Sequence, residues 1–363
     1  MAATAVRITE LAAEGFRNLR GLRFSPDPRA NVLLGSNGQG KTSILEAVDY
    51  AASLRSFRGA TRAQLVGHDA DHAAVLLRVG AAGLAREYRV KLTRSSRDVL
   101  LDGRRPERAV EYFGGAACVV FQPGDLDLVR GPPELRRRLL DRVLVRAVEG
   151  YGEALKSYGR ALRARNLLLR SRAPDQRAVQ SYDLPLARYG ALIVKARQGL
   201  VPELVSAAKR ALDEVALSPA PVEISYRTRG DADGLAFADA LSKNLPVDLS
   251  RGATQLGPHG DDLSIAWKGR AARVVASQGQ ARALALALRL AELHVLEART
   301  HSVPVLLLDD VSSELDRERT ERLFSLVSSL GGQVWVTTTD PGIAALLPGA
   351  LRLTVRDGKV VTK

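Results

Sequence analysis

Asn31-Val32-Leu33-Leu34-Gly35-Ser36-Asn37-Gly38-Gln39-Gly40-Lys41-Thr42-Ser43 runs from an apolar stretch through a glycine-rich turn into a helical pattern that continues to about Ala52. From Gly35 to Thr42 it satisfies G-x-x-x-x-G-K-[ST] at every position. A loop of this kind curls so that successive backbone N–H groups surround a β-phosphate. Its lysine reaches the β- and γ-oxygens and its hydroxyl sits on Mg²⁺. Glycines permit the curl, and the following helix turns its positive end toward the anion. The nucleotide-binding set is therefore Gly35, Ser36, Asn37, Gly38, Gln39, Gly40, Lys41, Thr42 and Ser43, with Lys41 also serving catalysis and Thr42 the metal. A glycine turn before an ordinary helix is the plainer reading. A strand feeding the loop and a helix leaving it favour the phosphate cradle, and with it ATP and Mg²⁺ as cofactors.

A second motif of the same chemistry lies far downstream. Val305-Leu306-Leu307-Leu308-Asp309-Asp310 is an apolar strand ending in two acids, and a period of two sends neighbouring side chains to opposite sides. Asp309 is assigned to the Mg²⁺ shell, and Asp310 to orienting the attacking water or acting as general base. Asp310 is one carbon shorter than a glutamate, which predicts a loosely held water and turnover below the ~10 s⁻¹ typical of enzymes. Solvated acids at an exposed strand end are the bland alternative, and a complete phosphate loop in the same chain weighs against it.

Thr42 and Asp309 stand 267 positions apart, so the site closes over a long excursion. From Ala73 to about Leu101 apolar and polar residues alternate, with turn signals at Gly80 to Gly83 and Asp102-Gly103, the pattern of an antiparallel meander. Cys118 to Phe121 reads as a buried strand. Pro132-Pro133 opens a helical region from Leu135 to Arg172, followed by helices from about Ala178 to Gln198 and from Pro202 to Val215, closed by Pro219 and Pro221. Strands return at Val222 to Tyr226 and Leu263 to Trp267. A long helix (Gly279 to Ala298), a strand (Val303 to Leu308), a helix (Arg317 to Leu330) and a strand (Gln333 to Thr337) complete the pattern. The expected fold is α/β, an ATPase head with an antiparallel β subdomain and an inserted helical lobe. Residues 1–130 form the N-terminal part of the head, 131–218 the helical lobe and 219–363 the C-terminal part.

Composition narrows the partners. Among 363 residues, 53 Lys and Arg against 40 Asp and Glu leave a formal net charge of +13, while 46% hydrophobic and 26% charged residues exclude a disordered chain or a small stapled scaffold. The one cysteine, Cys118, makes no internal disulfide and no zinc site by itself, which fits a reducing compartment and a core position. Met1 to Glu10 lacks a basic region followed by an apolar core, and no uninterrupted apolar run nears the ~20 residues of a membrane helix. The expectation is a cytoplasmic protein with no membrane partner. Arginine forks onto phosphate oxygens, and aromatics at 5% are few for stacking single strands, so a duplex backbone is the favoured polyanion. The stripe Arg136, Arg137, Arg138, Arg142 and Arg146 fits either a DNA track or a solvated helix face. His68-Asp69-Ala70-Asp71-His72 is too local for its side chains to converge on a metal.

Ala276-Ser277-Gln278-Gly279-Gln280-Ala281-Arg282, leading into an alanine- and leucine-rich helix, resembles the signature motif of ABC-type ATPases with Ser277 as N-cap. Serine hydroxyl, glycine backbone and helix N-terminus form an anion site, although the chain's own phosphate loop already holds the triphosphate. In the ABC family the signature meets the γ-phosphate of a second subunit, so the resemblance implies Ser277, Gln278, Gly279 and Gln280 as ATP contacts between two copies. Phe121-Gln122-Pro123 resembles the Q-loop, which implies for Gln122 a catalytic part and a sensing contact with the metal. Ser312-Ser313-Glu314-Leu315-Asp316 resembles the D-loop, and Thr337-Thr338-Thr339-Asp340 occupies the place of the switch histidine. Together with Phe16-Arg17-Asn18, the motif set and its order are similar to the RecF family of recombination mediators, related to Rad50 and SMC heads, over essentially the whole chain. The resemblance implies an ABC-type head, an ATP-dependent homodimer, weak DNA-dependent ATPase activity, and binding of double-stranded and gapped DNA. It further implies help in loading the recombinase RecA alongside RecR and RecO, and a place for Arg17 and Asn18 near the adenine or ribose. An SMC- or Rad50-like clamp with a structural role is the alternative. Gly257-Pro258-His259-Gly260-Asp261-Asp262 also resembles a RecF segment, with Gly260 where arginine is expected.

Overall fold

The computed structural model describes residues 3–81, 83–215, 221–311 and 317–361. In chain order its principal elements are β1 (Arg7–Glu14), β2 (Leu22–Phe24), β3 (Ala30–Leu34), α1 (Lys41–Ser53), β4 (Ala73–Ala81), β5 (Leu84–Leu92), β6 (Arg97–Leu101) and β7 (Cys118–Phe121). Then come α2 (Pro133–Ala147), α3 (Tyr151–Leu169), α4 (Asp183–Val215), β8 (Val222–Arg227), β9 (Asp262–Trp267), α5 (Gln278–Thr300), β10 (Val305–Asp309), α6 (Arg317–Ser329), β11 (Val334–Thr338), β12 (Leu351–Arg356) and β13 (Lys359–Val361). The described residues fall into two compact units, one within Met1–Leu126, Arg210–Ala220 and Ser277–Lys363, the other within Asp127–Lys209 and Pro221–Ala276.

In the first unit a six-stranded sheet of order β13-β12-β3-β11-β10-β7 carries the phosphate loop. β3, β11, β10 and β7 run parallel, and every residue of β7, β10 and β11 is buried, as expected of strands covered on both faces. Register decides the site: Asp309 lies opposite Thr337, and Thr337 opposite Leu33, so three adjacent strands end in one row. That carboxyl edge is where open parallel sheets bind ligands. The meander forms as expected, β4, β5 and β6 pairing antiparallel, with β1 and β2 extending the sheet to order β2-β1-β4-β5-β6. Gln333, wholly buried, links this sheet to the start of β11. Its amide oxygen accepts from the Ile8 N–H at 2.8 Å, and its amide nitrogen donates to the Ile8 and Asp27 carbonyls at 3.0 and 2.7 Å. Cys118 is buried in the same core.

The second unit begins close to residue 131 but also contains 221–276, which the sequence reading assigns to the C-terminal part of the head. β8 and β9 pair antiparallel with each other and with the short strand Arg270–Ala271, forming a three-stranded sheet of their own. The expected helix from Leu135 to Arg172 is two helices, α2 and α3, parted at Gly150 with φ +76°. The helices expected on either side of Pro202 are one, α4. Pro202 and Gln198, whose carbonyl the proline leaves without a helical N–H, are both exposed residues, and buried Leu200, Val201 and Leu204 keep the helix packed across them.

The arginine stripe is not one uniformly solvated face. Arg136 is 5% exposed, ion-pairs with Asp262 at 2.8 Å and donates to the Leu128 and Gly131 carbonyls. Arg137 donates to the Asp261 carbonyl at 2.7 Å and Arg146 to the Arg142 carbonyl at 3.2 Å; Arg138 is the exposed member, pairing with Glu134. Arg165, fully buried, joins Asp183, Asp248 and Thr254. Part of the chain's positive charge is therefore internal. Buried Asp261 accepts from the Tyr226 hydroxyl, the Arg229 N–H and Arg197, and the side chain of Arg229 lies against Gly260, where a Cβ would stand 2.7 Å from its Cδ. Among the described residues no helix is long and apolar enough to cross a membrane.

Candidate active site

The phosphate loop leaves β3 at Leu34 and enters α1, whose N-cap is Gly40 in the left-handed region at φ +109°. Gly38, at φ +81°, makes the other turn that a side chain would strain. Above the loop opens a cavity of about 610 Å³ walled by Asn37, Gly38, Gly40, Lys41 and Thr42 on one side and by Arg17, Arg58, Gln64, His68 and Arg94 on another, with Asp310 and Thr337 at the strand ends. The Lys41 ammonium folds over the loop and donates to the Gly35 and Ser36 carbonyls at 2.7 and 2.9 Å. Burial pulls its pKa down, and the charges of Asp310 and Asp309 oppose that pull.

At the floor the Thr42 hydroxyl donates to Asp309 Oδ1 at 2.8 Å, and the Thr337 hydroxyl donates to the same oxygen at 2.7 Å. Asp309 is 5% exposed. Burial raises its pKa, and the two threonine hydroxyls counter the rise by bonding the charged form. Thr337 Oγ1 also accepts from the Asp310 N–H at 2.9 Å. The two acids do diverge, but not by strand pleat: β10 ends at Asp309, and Asp310 takes φ +49°, which turns its side chain to the cavity. A hydroxyl and a carboxylate converging beside a phosphate loop are the hard oxygen donors that suit Mg²⁺, which completes its shell with water and phosphate rather than with many protein ligands. Among the described residues no group of three or more His, Cys, Asp or Glu converges.

The remaining expected residues divide. Asn18 and Ser43 meet at the loop: the Ser43 hydroxyl donates to Asn18 Oδ1 at 2.7 Å, and Asn18 Nδ2 donates to the Gly38 carbonyl at 3.1 Å. Arg17, at φ +55°, lines the cavity. Gln39 turns outward, its carbonyl accepting from the Gly358 N–H at 2.9 Å and its Oε1 from the Asp357 N–H at 2.7 Å. Gly358 packs so closely on the Asn18 carbonyl that a Cβ would stand 1.9 Å from that oxygen. Gln122 directly follows β7, the strand next to β10, but its amide donates to the Phe57 carbonyl at 3.1 Å and it does not line the cavity. Ser277 and Gln280 close a capping box, the Gln280 N–H donating to Ser277 Oγ at 3.2 Å and the Ser277 N–H to Gln280 Oε1 at 2.9 Å. Ser277 and Gln278 are exposed, Gly279 lies beside the Arg319 guanidinium, and none of the four lines the cavity. The D-loop-like stretch, residues 312–316, lies outside the described residues. Sequence reasoning missed the Thr337 bridge, the wall formed by Arg58, His68 and Arg94, and the hairpin at Asp357-Gly358. The left-handed turn signal Asp-Gly was readable for the last, but not what it touches.

A phosphate loop, an aspartate ending a neighbouring strand on the loop's own hydroxyl, and a serine-capped long helix in the same unit define an ABC-type head. The model of the family described as RecF/RecN/SMC N terminal domain matches residues 7–361. The DNA replication and repair protein RecF of Anaeromyxobacter sp. (strain Fw109-5) is 44% identical over 345 residues, 92% of this chain and 93% of its own length. The RecF of Myxococcus xanthus (strain DK1622) is 38% identical over 377 residues, 99% and 98% of the two chains. A solved structure of the recombination mediator protein RecF-ATP in the RecFOR pathway matches with a TM-score of 0.88 at 30% identity, covering 99% of this chain and 98% of that one. An Smc head domain derived from Pyrococcus furiosus shares the fold, with a TM-score of 0.56 at 16% identity over 98% of this chain and 96% of that one. The chain belongs to the RecF family.

Proposed function

We propose that this chain is an ATP-binding, slowly ATP-hydrolysing head that acts in DNA replication and recombinational repair in the cytoplasm. The observation that carries the reading is the cluster Thr42, Asp309 and Thr337 at the floor of the phosphate-loop cavity. Lys41 neutralises β- and γ-phosphate oxygens, and the loop amides with the α1 N-terminus hold the anion. Thr42 and Asp309 would hold Mg²⁺, which would supply neutralisation of phosphate charge. Asp310 faces the cavity and orients the attacking water. Its short side chain keeps turnover low, below about 10 s⁻¹.

Ser277 through Gln280 are absent from this chain's own cavity wall, which supports a role toward a second copy. Two heads then sandwich ATP, each supplying the phosphate loop to one nucleotide and the signature to the other, and by linkage dimerisation raises ATP affinity as much as ATP raises dimer affinity. DNA, double-stranded or gapped, is the polyanionic partner, and RecR, with RecO and the recombinase RecA, are the protein partners drawn from the family. Sedimentation with and without ATP tests the sandwich. Lys41→Met should lose nucleotide binding, whereas Ser277→Arg should keep it and lose the ATP-induced dimer. A Ser277→Arg protein that dimerises normally refutes the sandwich, and unchanged ATP affinity in Lys41→Met refutes the site.

A further inference from the structure

Glu46 is one of two buried acids on α1, the other being Asp49. It lies one turn beyond Lys41, its side chain is 0% exposed, and its neighbours Ile44, Leu45, Ala47 and Val48 are all buried apolar residues. A desolvated carboxylate in that setting needs several donors, and a buried ion pair adds little stability over an apolar replacement. The donors here do not come from the core. Arg17 grips Glu46 in a two-pronged contact, Nε to Oε2 and Nη2 to Oε1, both at 2.9 Å, while its third nitrogen donates to the Gln64 carbonyl. The Ser56 hydroxyl donates to Oε1 at 2.5 Å, and its oxygen accepts from the backbone N–H groups of Arg58 and Ala60, folding the turn that carries Arg58. Arg58 itself stands 3.6 Å from Oε2 with its side chain 46% exposed. Both arginines line the phosphate-loop cavity.

We propose that Glu46 is a positioning residue for the nucleotide: one buried carboxylate on α1 that fixes Arg17 and Arg58, from two separate chain segments, on the cavity wall. The inference rests on reading the cavity as the ATP site. The two arginines have different parts. Arg17 has both prongs engaged and forms a fixed wall. Arg58 has a looser, longer pairing and an exposed face, so an arriving phosphate shares it without breaking a buried bond. Because Glu46 belongs to the helix that begins at Lys41, both guanidinium groups are set in the same frame as the loop amides. Preorganised cations of this kind need no rearrangement when the anion arrives. The carboxylate also cancels one of the two positive charges, which keeps the empty pocket from holding two unpaired cations side by side.

The test is a double-mutant cycle read in ATP affinity by fluorescence titration of the full chain, with Glu46→Gln, Arg58→Ala and the double variant. Glu46→Gln keeps the shape and removes the charge. It should raise the ATP Kd by about tenfold or more, the scale of one charge-assisted contact. Arg58→Ala should then cost less in that background than alone, because the arginine has already lost its support. A merely structural Glu46 would lower the melting temperature and leave the Kd of the folded protein and the additivity of the cycle unchanged, which overturns the proposal. Should Glu46→Gln not fold, Ser56→Ala, which releases the Arg58 turn and leaves the carboxylate paired with Arg17, decides by the same readout: a raised Kd supports the proposal and an unchanged one overturns it. Lys41→Met measured in parallel separates the two levels. Lost ATP binding there with unchanged affinity in Glu46→Gln defeats only the role of Glu46, whereas unchanged affinity in Lys41→Met defeats the ATP site itself.

Discussion

Replacing Thr337 by valine removes one oxygen from the floor of the site and changes the shape of the side chain little. Thr337 is 1% exposed, donates to Asp309 at 2.7 Å and accepts from the Asp310 N–H at 2.9 Å. Losing a hydrogen bond to a carboxylate costs about 1.5–3 kcal/mol, and the part-buried Asp310 N–H loses its acceptor as well. A combined loss near 3 kcal/mol, if felt in the transition state, lowers ATP turnover by about 100-fold. The substitution also carries a pH signature. Burial already holds the Asp309 pKa above the ordinary carboxylate value, and the Thr337 hydroxyl is the first of the two bonds that restrain the rise. Between the ordinary and the raised pKa the folded protein binds more protons than the unfolded one, so stability falls as pH rises through that window and the penalty is complete above the folded value. Valine raises the folded pKa further and extends the window upward. Urea unfolding of nucleotide-free, metal-free protein at pH values rising from the ordinary carboxylate range should therefore show a decline that continues to higher pH for Thr337→Val than for wild type. Thr337→Ser keeps the hydroxyl and should restore both turnover and the pH profile. A valine variant within about twofold of wild type in turnover, with an unchanged pH profile, would refute the reasoning, and so would a serine variant as impaired as valine.

Gly358→Ala puts a Cβ 1.9 Å from the Asn18 carbonyl at a φ of +74°. It should lower stability by about 2 kcal/mol or more and weaken ATP binding together, since Asn18 braces Gly38 and Ser43; a melting curve and an ATP titration that both match wild type would contradict this. Asp125→Asn leaves Arg289, whose side chain is 9% exposed, with Glu292 as its remaining acidic partner, and should cost about 3 kcal/mol in urea unfolding. Asp125 also accepts from the Gln122 N–H at 3.0 Å, so the same variant should loosen the Gln122 turn, visible as faster amide exchange there.

What could be read from residues alone was what is contiguous. The phosphate loop is one unbroken stretch whose backbone geometry is dictated by its glycines. Asp309 follows from an apolar strand that must end somewhere charged. Thr337 was visible as a polar residue at a strand end, but its hydrogen bonds depend on β11 inserting between β3 and β10, a pairing that no local pattern specifies. Glu46 and Arg17 are 29 residues apart, and nothing in the sequence of α1 announces which cation will meet this one of its two buried acids. Charge patterning misled on α2, because periodicity cannot tell an arginine facing water from one facing Asp262. Pro202 misled for a related reason: the rule that proline ends a helix is local, and here the packing of buried Leu200, Val201 and Leu204 carries the helix across it. The lobe boundary shifted because β8 and β9 pair with one another instead of joining the six-stranded sheet.

The hairpin turn at Asp357-Gly358 gives the phosphate loop an outer buttress assembled from opposite ends of the numbering, Gln39 meeting Asp357 across 318 positions. An excised peptide carrying the whole loop and α1 would thus possess every consensus residue and still lack the scaffold that holds the curl, so the motif is not a transplantable part. Such distant closure raises contact order and makes the cradle a late product of folding rather than a seed for it. Ligand occupancy and protection of β12 and β13 from amide exchange should then rise together, the far hairpin serving as a remote reporter of a filled pocket.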